Sequence, residues 1–150
     1  MLKQRLVKVG IYGFIMFFLA LSFLPGCARK EIVNIYSNGE SIVCFGDSIT
    51  FGYGANKGED YPAYLARLVK TEVINSGIDG DTSQEGLKRV DTDVLDRKPF
   101  LVIIEFGGND FLRKVPKEAT LENIGKMVDR VQAAGAMAAV VDISAGMLLG

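Results

Sequence analysis

Three short stretches of this chain carry residues whose type and spacing could support acyl chemistry. The first is Gly46-Asp47-Ser48, which ends the apolar run Ile42 to Phe45 and leaves a serine hydroxyl on a turn. The second is the loop Ser76 to Asp81, which holds Gly77 and Gly80, and the third is Gly107-Gly108-Asn109-Asp110. A serine on a turn becomes a nucleophile only when a base takes its proton and donors hold the oxyanion that develops. The Ser48 amide, the Gly80 amide and the Asn109 side-chain amide are three neutral donors able to converge on one oxygen. Glycine at 80 leaves room for a bound carbonyl, and asparagine at 109 offers an NH2 that reaches inward from a Gly-Gly turn. Each residue also has an ordinary reading, because Gly, Asp, Ser and Asn are the commonest turn formers.

The pattern around these stretches says how they would be positioned. Ile42 to Phe45 reads as a buried strand, Glu72 to Asn75 as a short one, Phe100 to Phe106 as a strand broken only by Glu105, and Met137 to Ile143 as a fourth. Helices alternate with them. Asp60-Tyr61-Pro62 has the form of a helix start, followed by Tyr61, Tyr64, Leu65, Leu68 and Val69 on one face. Thr82-Ser83-Gln84-Glu85 fits a capping box, with Leu87, Val90, Val94 and Leu95 as the buried stripe behind it. Thr120 is placed to cap a third helix through Leu121, Ile124, Met127, Val128 and Val131, and Gly135 to end it. Ala28 to Glu40 reads as a polar tether with a short edge strand at Ile32 to Tyr36. The alternation of strand and helix predicts an α/β fold, a flavodoxin-like doubly wound parallel sheet. In the strand order 2-1-3-4-5 the loops after strands 1, 2 and 3 surround the switch-point crevice, where such sheets bind ligands. Ser48, Gly80 and Asn109 follow those three strands in turn.

With that arrangement in view, GDSIT at 46–50, INSGIDGDTS at 74–83 and FGGND at 106–110 resemble the first three sequence blocks of the GDSL/SGNH hydrolases, in the order and spacing of the bacterial arylesterase and thioesterase/lysophospholipase branch. The resemblance covers Ser41 to about Ser144. It implies an SGNH-hydrolase fold, hydrolysis of an ester or thioester through an acyl-serine intermediate, Ser48 as the nucleophile, and Gly80 and Asn109 completing the oxyanion hole with the Ser48 amide. The turn departs from the G-x-S-x-G elbow of ordinary α/β-hydrolases, since Thr50 stands where the second glycine would be. The family's base is a histidine three residues after an aspartate near the C-terminus, and this chain contains no histidine. Asp142, on the fourth strand, lies too early to be that aspartate. The expectation is therefore an N-terminal part of a longer enzyme, C-terminally incomplete, whose 150 residues alone are inactive.

The N-terminus sets a location. Lys3, Arg5 and Lys8 precede an apolar core from Ile11 to Leu24, and Leu24-Pro25-Gly26-Cys27 resembles a bacterial lipobox. The organisation expected is a lipoprotein signal peptide at 1–26, a lipidated Cys27 with its tether at 27–40, and one domain at 41–150, outside the cytoplasmic membrane. An uncleaved anchor helix over Val9 to Ala28 is the other reading, and it gives the same side of the membrane. Beyond the leader, 14 basic residues face 18 acidic ones, a net charge of −4 with no basic block, which excludes a nucleic-acid groove. Cys44 is then a lone thiol in an apolar strand, expected as a small core residue without a disulfide.

Rival chemistries fit less well. No Gly-Lys-Ser/Thr follows a glycine loop, so a phosphate-binding P-loop is excluded. Asp47, Asp79, Asp81 and Asp110 read as caps and turn formers, so neither metal nor cofactor is expected. The partners expected are an ester substrate and the anchoring membrane, with no obligate protein partner. Ile49, Phe51, Tyr53, Phe111 and Leu112 could line an acyl site or be ordinary loop aromatics and aliphatics. The alternative function is a non-catalytic carbohydrate- or lipid-binding surface lipoprotein on a decayed hydrolase scaffold.

Overall fold

The two longest β-prone apolar runs become the two central strands. In the computed structural model, which describes residues 31–143, β1 (Ser41–Gly46) is buried at every position and β3 (Pro99–Glu105) lies beside it. β2 (Glu72–Gly77) and β4 (Met137–Val140) flank them, and all pairs are parallel in the order β2-β1-β3-β4. Val43 thus sits between Ile74 and Val102, and Phe45 between Ser76 and Ile104. The order is the doubly wound one that the strand and helix alternation predicts, with the β1, β2 and β3 loops at one sheet edge.

Alternation along β1 divides its side chains between two layers. Val43 and Phe45 join Val90 and Val94 around helix α3 (Ser83–Asp93), and Met127 and Val131 of helix α5 (Lys117–Ala133), in one core with Val102, Ile104 and Phe106. Each of these side chains contributes roughly 1.5–3 kcal/mol by leaving water. Phe45 and Phe106 meet edge-to-face, their ring centroids 5.1 Å apart. Cys44 turns to the opposite layer, against Tyr61 of helix α2 (Tyr61–Leu68), and is a free buried thiol.

Local signals hold at several helix ends. Asp60 caps α2, its Oδ1 accepting the Ala63 amide at 2.9 Å, with Pro62 in the first turn. At α3 the Glu85 carboxylate accepts the Thr82 amide at 2.8 Å and the Thr82 side chain accepts the Glu85 amide, closing the capping box, while the Thr82 hydroxyl also meets that carboxylate.

Other expectations are corrected. The Ile32–Tyr36 segment is a turn, not an edge strand. It is held to the domain by Asn34, whose Nδ2 donates to the Gln132 carbonyl at 2.8 Å and the Ala136 carbonyl at 3.0 Å. Tyr64 and Leu68 are exposed rather than part of the α2 apolar face, because that face rests on an edge strand too narrow to cover them. α5 begins at Lys117 behind Pro116, three residues before the expected cap, and the Thr120 hydroxyl donates instead to Asp110 at 3.1 Å. β2 runs on to Gly77, and β4 stops at Val140, leaving Asp142 beyond the strand. The basic leader, the lipobox with Cys27 and the chain end Met147 to Gly150 lie outside the described residues. Among the described residues no helix is long and apolar enough to cross a membrane.

Candidate functional site

Ser48 opens a one-turn helix, α1 (Ser48–Phe51), set directly on the end of β1. The turn is sharp because Asp47 serves as its N-cap, with Oδ1 accepting the Ile49 amide at 3.0 Å. Gly46 admits it: a Cβ there would run into the Thr50 hydroxyl and the Glu105 carbonyl. Ser48 is half-buried, and its hydroxyl has no hydrogen-bond partner among the described residues. It is free to act.

The third loop is a helix rather than the expected turn. Gly107, at φ +126°, reverses the chain after β3 so that α4 (Gly108–Leu112) begins at once and carries Asn109 in its first turn. The Asn109 Nδ2 donates to the Asp81 carbonyl at 2.9 Å and to Asp47 Oδ2 at 3.3 Å. One side chain therefore joins the residue before Ser48 to the residue after Gly80. Gly80 itself sits at φ +81°, and its carbonyl accepts the Arg113 guanidinium at 2.7 Å. The three loops singled out by residue type meet at one place.

Two struts hold them there. Arg89 of α3 donates to the Gly46 carbonyl at 3.0 Å, the Ser76 carbonyl at 2.9 Å and the Asp81 carboxylate at 2.7 Å, with Asp93 a further partner at 3.2 Å. It thereby ties the ends of β1 and β2 to the second loop, while its guanidinium stacks 4.5 Å above the Phe45 ring. Asp110 accepts the Ser83 amide at 2.8 Å, the Ser83 hydroxyl at 2.5 Å and the Thr120 hydroxyl at 3.1 Å. It caps α3 from an element 27 residues away, rather than capping its own turn.

Glu105 lies beneath the Ser48 turn. It is 2% exposed, its Oε2 accepts the Thr50 hydroxyl at 3.0 Å, and its Oε1 has no hydrogen-bond partner among the described residues. Burial, and then the neighbouring charge of Asp47, push its carboxyl up to about 7. Burial likewise raises the Tyr61 phenol, and raises the Cys44 thiol to about 11. Around the loops the apolar side chains of Ile49, Phe51, Tyr53, Phe111 and Leu112 are each more than half exposed.

Sequence reasoning named Ser48, Gly80 and Asn109 but not Arg89, Asp110, Thr50 or Glu105 in these roles. Glu105 had a signal, as the lone charge in a buried strand. Arg89 had only its four-residue spacing to Asp93. Cys27 lies outside the described residues.

Comparison with known proteins adds a second line of support. The model of the GDSL-like Lipase/Acylhydrolase family matches residues 44–149. Esterase TesA of Pseudomonas aeruginosa is 31% identical over 125 residues, spanning 80% of this chain and 62% of that protein. The uncharacterized lipoprotein YqeF of Bacillus subtilis is 36% identical over 105 residues, 65% of this chain and 40% of that protein. The crystal structure of AlinE4, an SGNH-hydrolase family esterase, superposes with a TM-score of 0.62 at 36% identity, covering 69% of this chain and 59% of that one. The chain thus spans about two fifths to three fifths of the length of these proteins.

Proposed function

This chain belongs to the GDSL-like lipase/acylhydrolase family, and from that premise we propose that it carries the nucleophile half of a serine acyl hydrolase acting on carboxylic esters or thioesters. Ser48 attacks the acyl carbon. The oxyanion is held by the amides of Ser48 and Gly80 and by the Asn109 side chain, and water then releases the acyl group from Ser48. The observation that carries the reading is the double engagement of Asn109 with Asp47 and the Asp81 carbonyl, which draws all three loops together. Its 3.3 Å bond to Asp47 is at the weak end of N–H···O distances, so this is the N–H that turns to a bound oxyanion. The exposed apolar side chains on α1 and α4 suit an acyl chain.

The 150 residues contain no histidine. In this proposal the base, with its aspartate, comes from chain beyond Gly150 in a longer parent, for which the greater length of the relatives leaves room. The want of a histidine is also what favours the second reading, a carbohydrate- or lipid-binding lipoprotein on a decayed scaffold. Cys27 is the lipid attachment point in either case, placing the domain outside the cytoplasmic membrane, and the similarity to the lipoprotein YqeF supports it.

Reading the coding sequence past Gly150 for Asp-x-x-His, and expressing that product, tests the proposal. The parent should hydrolyse p-nitrophenyl acetate and react with a fluorophosphonate probe, and Ser48→Ala should lose both, a drop of several orders of magnitude in kcat. Undiminished labelling of Ser48→Ala would move the binding reading ahead.

A further inference from the structure

Beneath the turn that carries Ser48 lies a titratable group that the proposed reaction does not use. Glu105, the last residue of β3, faces α1 from below: Thr50 donates to its Oε2 at 3.0 Å, and the Tyr61 hydroxyl of α2 lies 3.2 Å from Thr50 Oγ1. Thr50 has one proton and gives it to Glu105, so Tyr61 is the donor to Thr50. The chain Tyr61–Thr50–Glu105 therefore pins α1 to two other elements.

Burial and the charge of Asp47 make a second negative charge there costly, and the Thr50 hydroxyl and the Asp47 amide offset only part of that cost. Asp47, 1% exposed, stands beside it and already uses one oxygen on the Ile49 amide and the other on Asn109. From β1 comes the neutral thiol of Cys44, from α2 the neutral phenol of Tyr61, and from β2 Asn75, whose Nδ2 donates to the Thr50 carbonyl at 2.8 Å. Arg89 of α3 touches the same turn through the Gly46 carbonyl, with its charge paired to Asp81 and Asp93. On the β4 side Asp142 and Lys117 line a groove past Phe106 and Gly107. A buried carboxylate with one oxygen unpartnered among the described residues, next to a second carboxylate, is only partly compensated for its desolvation. A neutral acid avoids that cost, and its O–H faces the Asp47 carboxylate as an acceptor.

We propose that Glu105 is a positioning residue that works as a neutral acid: protonated, it seats the Gly46–Thr50 turn against β3, and on ionising it repels Asp47 and loosens the two bonds by which Asp47 holds the Ile49 amide and Asn109. The step is a simple loss of one proton to solvent. It deepens the acyl-hydrolase reading, because the turn and the asparagine it controls are the proposed nucleophile and oxyanion donors. The site geometry then depends on pH through a residue that touches no substrate.

The test is nuclear magnetic resonance of the full chain in detergent, following the Glu105 carboxyl carbon, the Ile49 amide and the Asn109 side-chain amide as pH rises. All three should move together with one midpoint, shifted from the ordinary 4.5 to about 7. Glu105→Gln should hold the Ile49 and Asn109 signals at their acid positions at every pH. Thr50→Val should leave the Glu105 midpoint raised but shrink the response at Ile49, so the proposal stays testable if Glu105→Gln does not fold. A Glu105 midpoint near 4.5, or an Ile49 and Asn109 transition that survives in Glu105→Gln, would overturn it. None of these signals needs turnover. A parent that shows the coupled titration yet never cleaves an ester would defeat the catalytic reading and leave this one standing.

Discussion

Glu105 and Asp110 are two buried carboxyl groups five positions apart, on either side of the Phe106–Asn109 segment, and their surroundings are opposite. Asp110 receives three donors, two from Ser83 and one from Thr120, at 2.5 to 3.1 Å. Glu105 receives one, from Thr50, and has another carboxylate for a neighbour. A carboxylate surrounded by donors is a fixed strut, and here it welds α3, α4 and α5 together. A carboxyl short of donors keeps its proton in its place, and its hold on the Ser48 turn depends on pH. Burial is the same for both. The supply of N–H and O–H groups makes the difference.

The largest expected effect breaks the strut. Asp110→Ala would leave the Ser83 amide and hydroxyl buried without their acceptor and free the half-buried Thr120 hydroxyl, at roughly 3–5 kcal/mol of stability, read as a fall in the midpoint of denaturant unfolding. A loss under about 1 kcal/mol would show that water replaces the carboxylate and that the strut reading is wrong.

Next in size is the pH dependence set by Glu105. Its folded value lies above its unfolded one, so the stability it contributes as a neutral acid is complete below about 4.5 and is lost as pH climbs to about 7. Over that window the loss amounts to about 3 kcal/mol, and Glu105→Gln should remove this slope from the stability–pH curve. An unchanged slope in Glu105→Gln would place the titration elsewhere.

The smallest effect comes from a third carboxylate, Glu85, whose hydrogen bonds from Thr82 lower its titration. The sign is reversed, since its contribution is present above the unfolded value and fades in acid. Glu85 is half-exposed, so solvent screens its titration and it weighs little. Thr82→Ala should cost about 1 kcal/mol through the weakened helix cap, measured as a shift in thermal midpoint. A cost of several kcal/mol would mean that the cap and the Asp110 strut are one unit.

Periodic and contiguous patterns were legible in the amino-acid sequence. The apolar runs at 42–45 and 100–104 specified the two central strands, and Asp60 and the Thr82–Glu85 box marked two helix starts, because caps and alternation act within a few residues. The β-α alternation then implied the observed strand order, and with it the meeting of the Ser48, Gly80 and Asn109 loops. Where each polar group finds its partner was not legible there, because it depends on the packed layers. Thr120 has the chemistry of a cap, yet its hydroxyl goes to Asp110 of α4, and the helix it was expected to start begins three residues earlier. Tyr64 and Leu68 have the spacing of a buried face but lie over an edge strand. Arg89 reaches Gly46 across 43 positions, and Thr50 reaches Glu105 across 55. A hydrogen bond is worth making only where its groups are already shut away from water, and that enclosure is a property of the assembled layers, not of any stretch of chain.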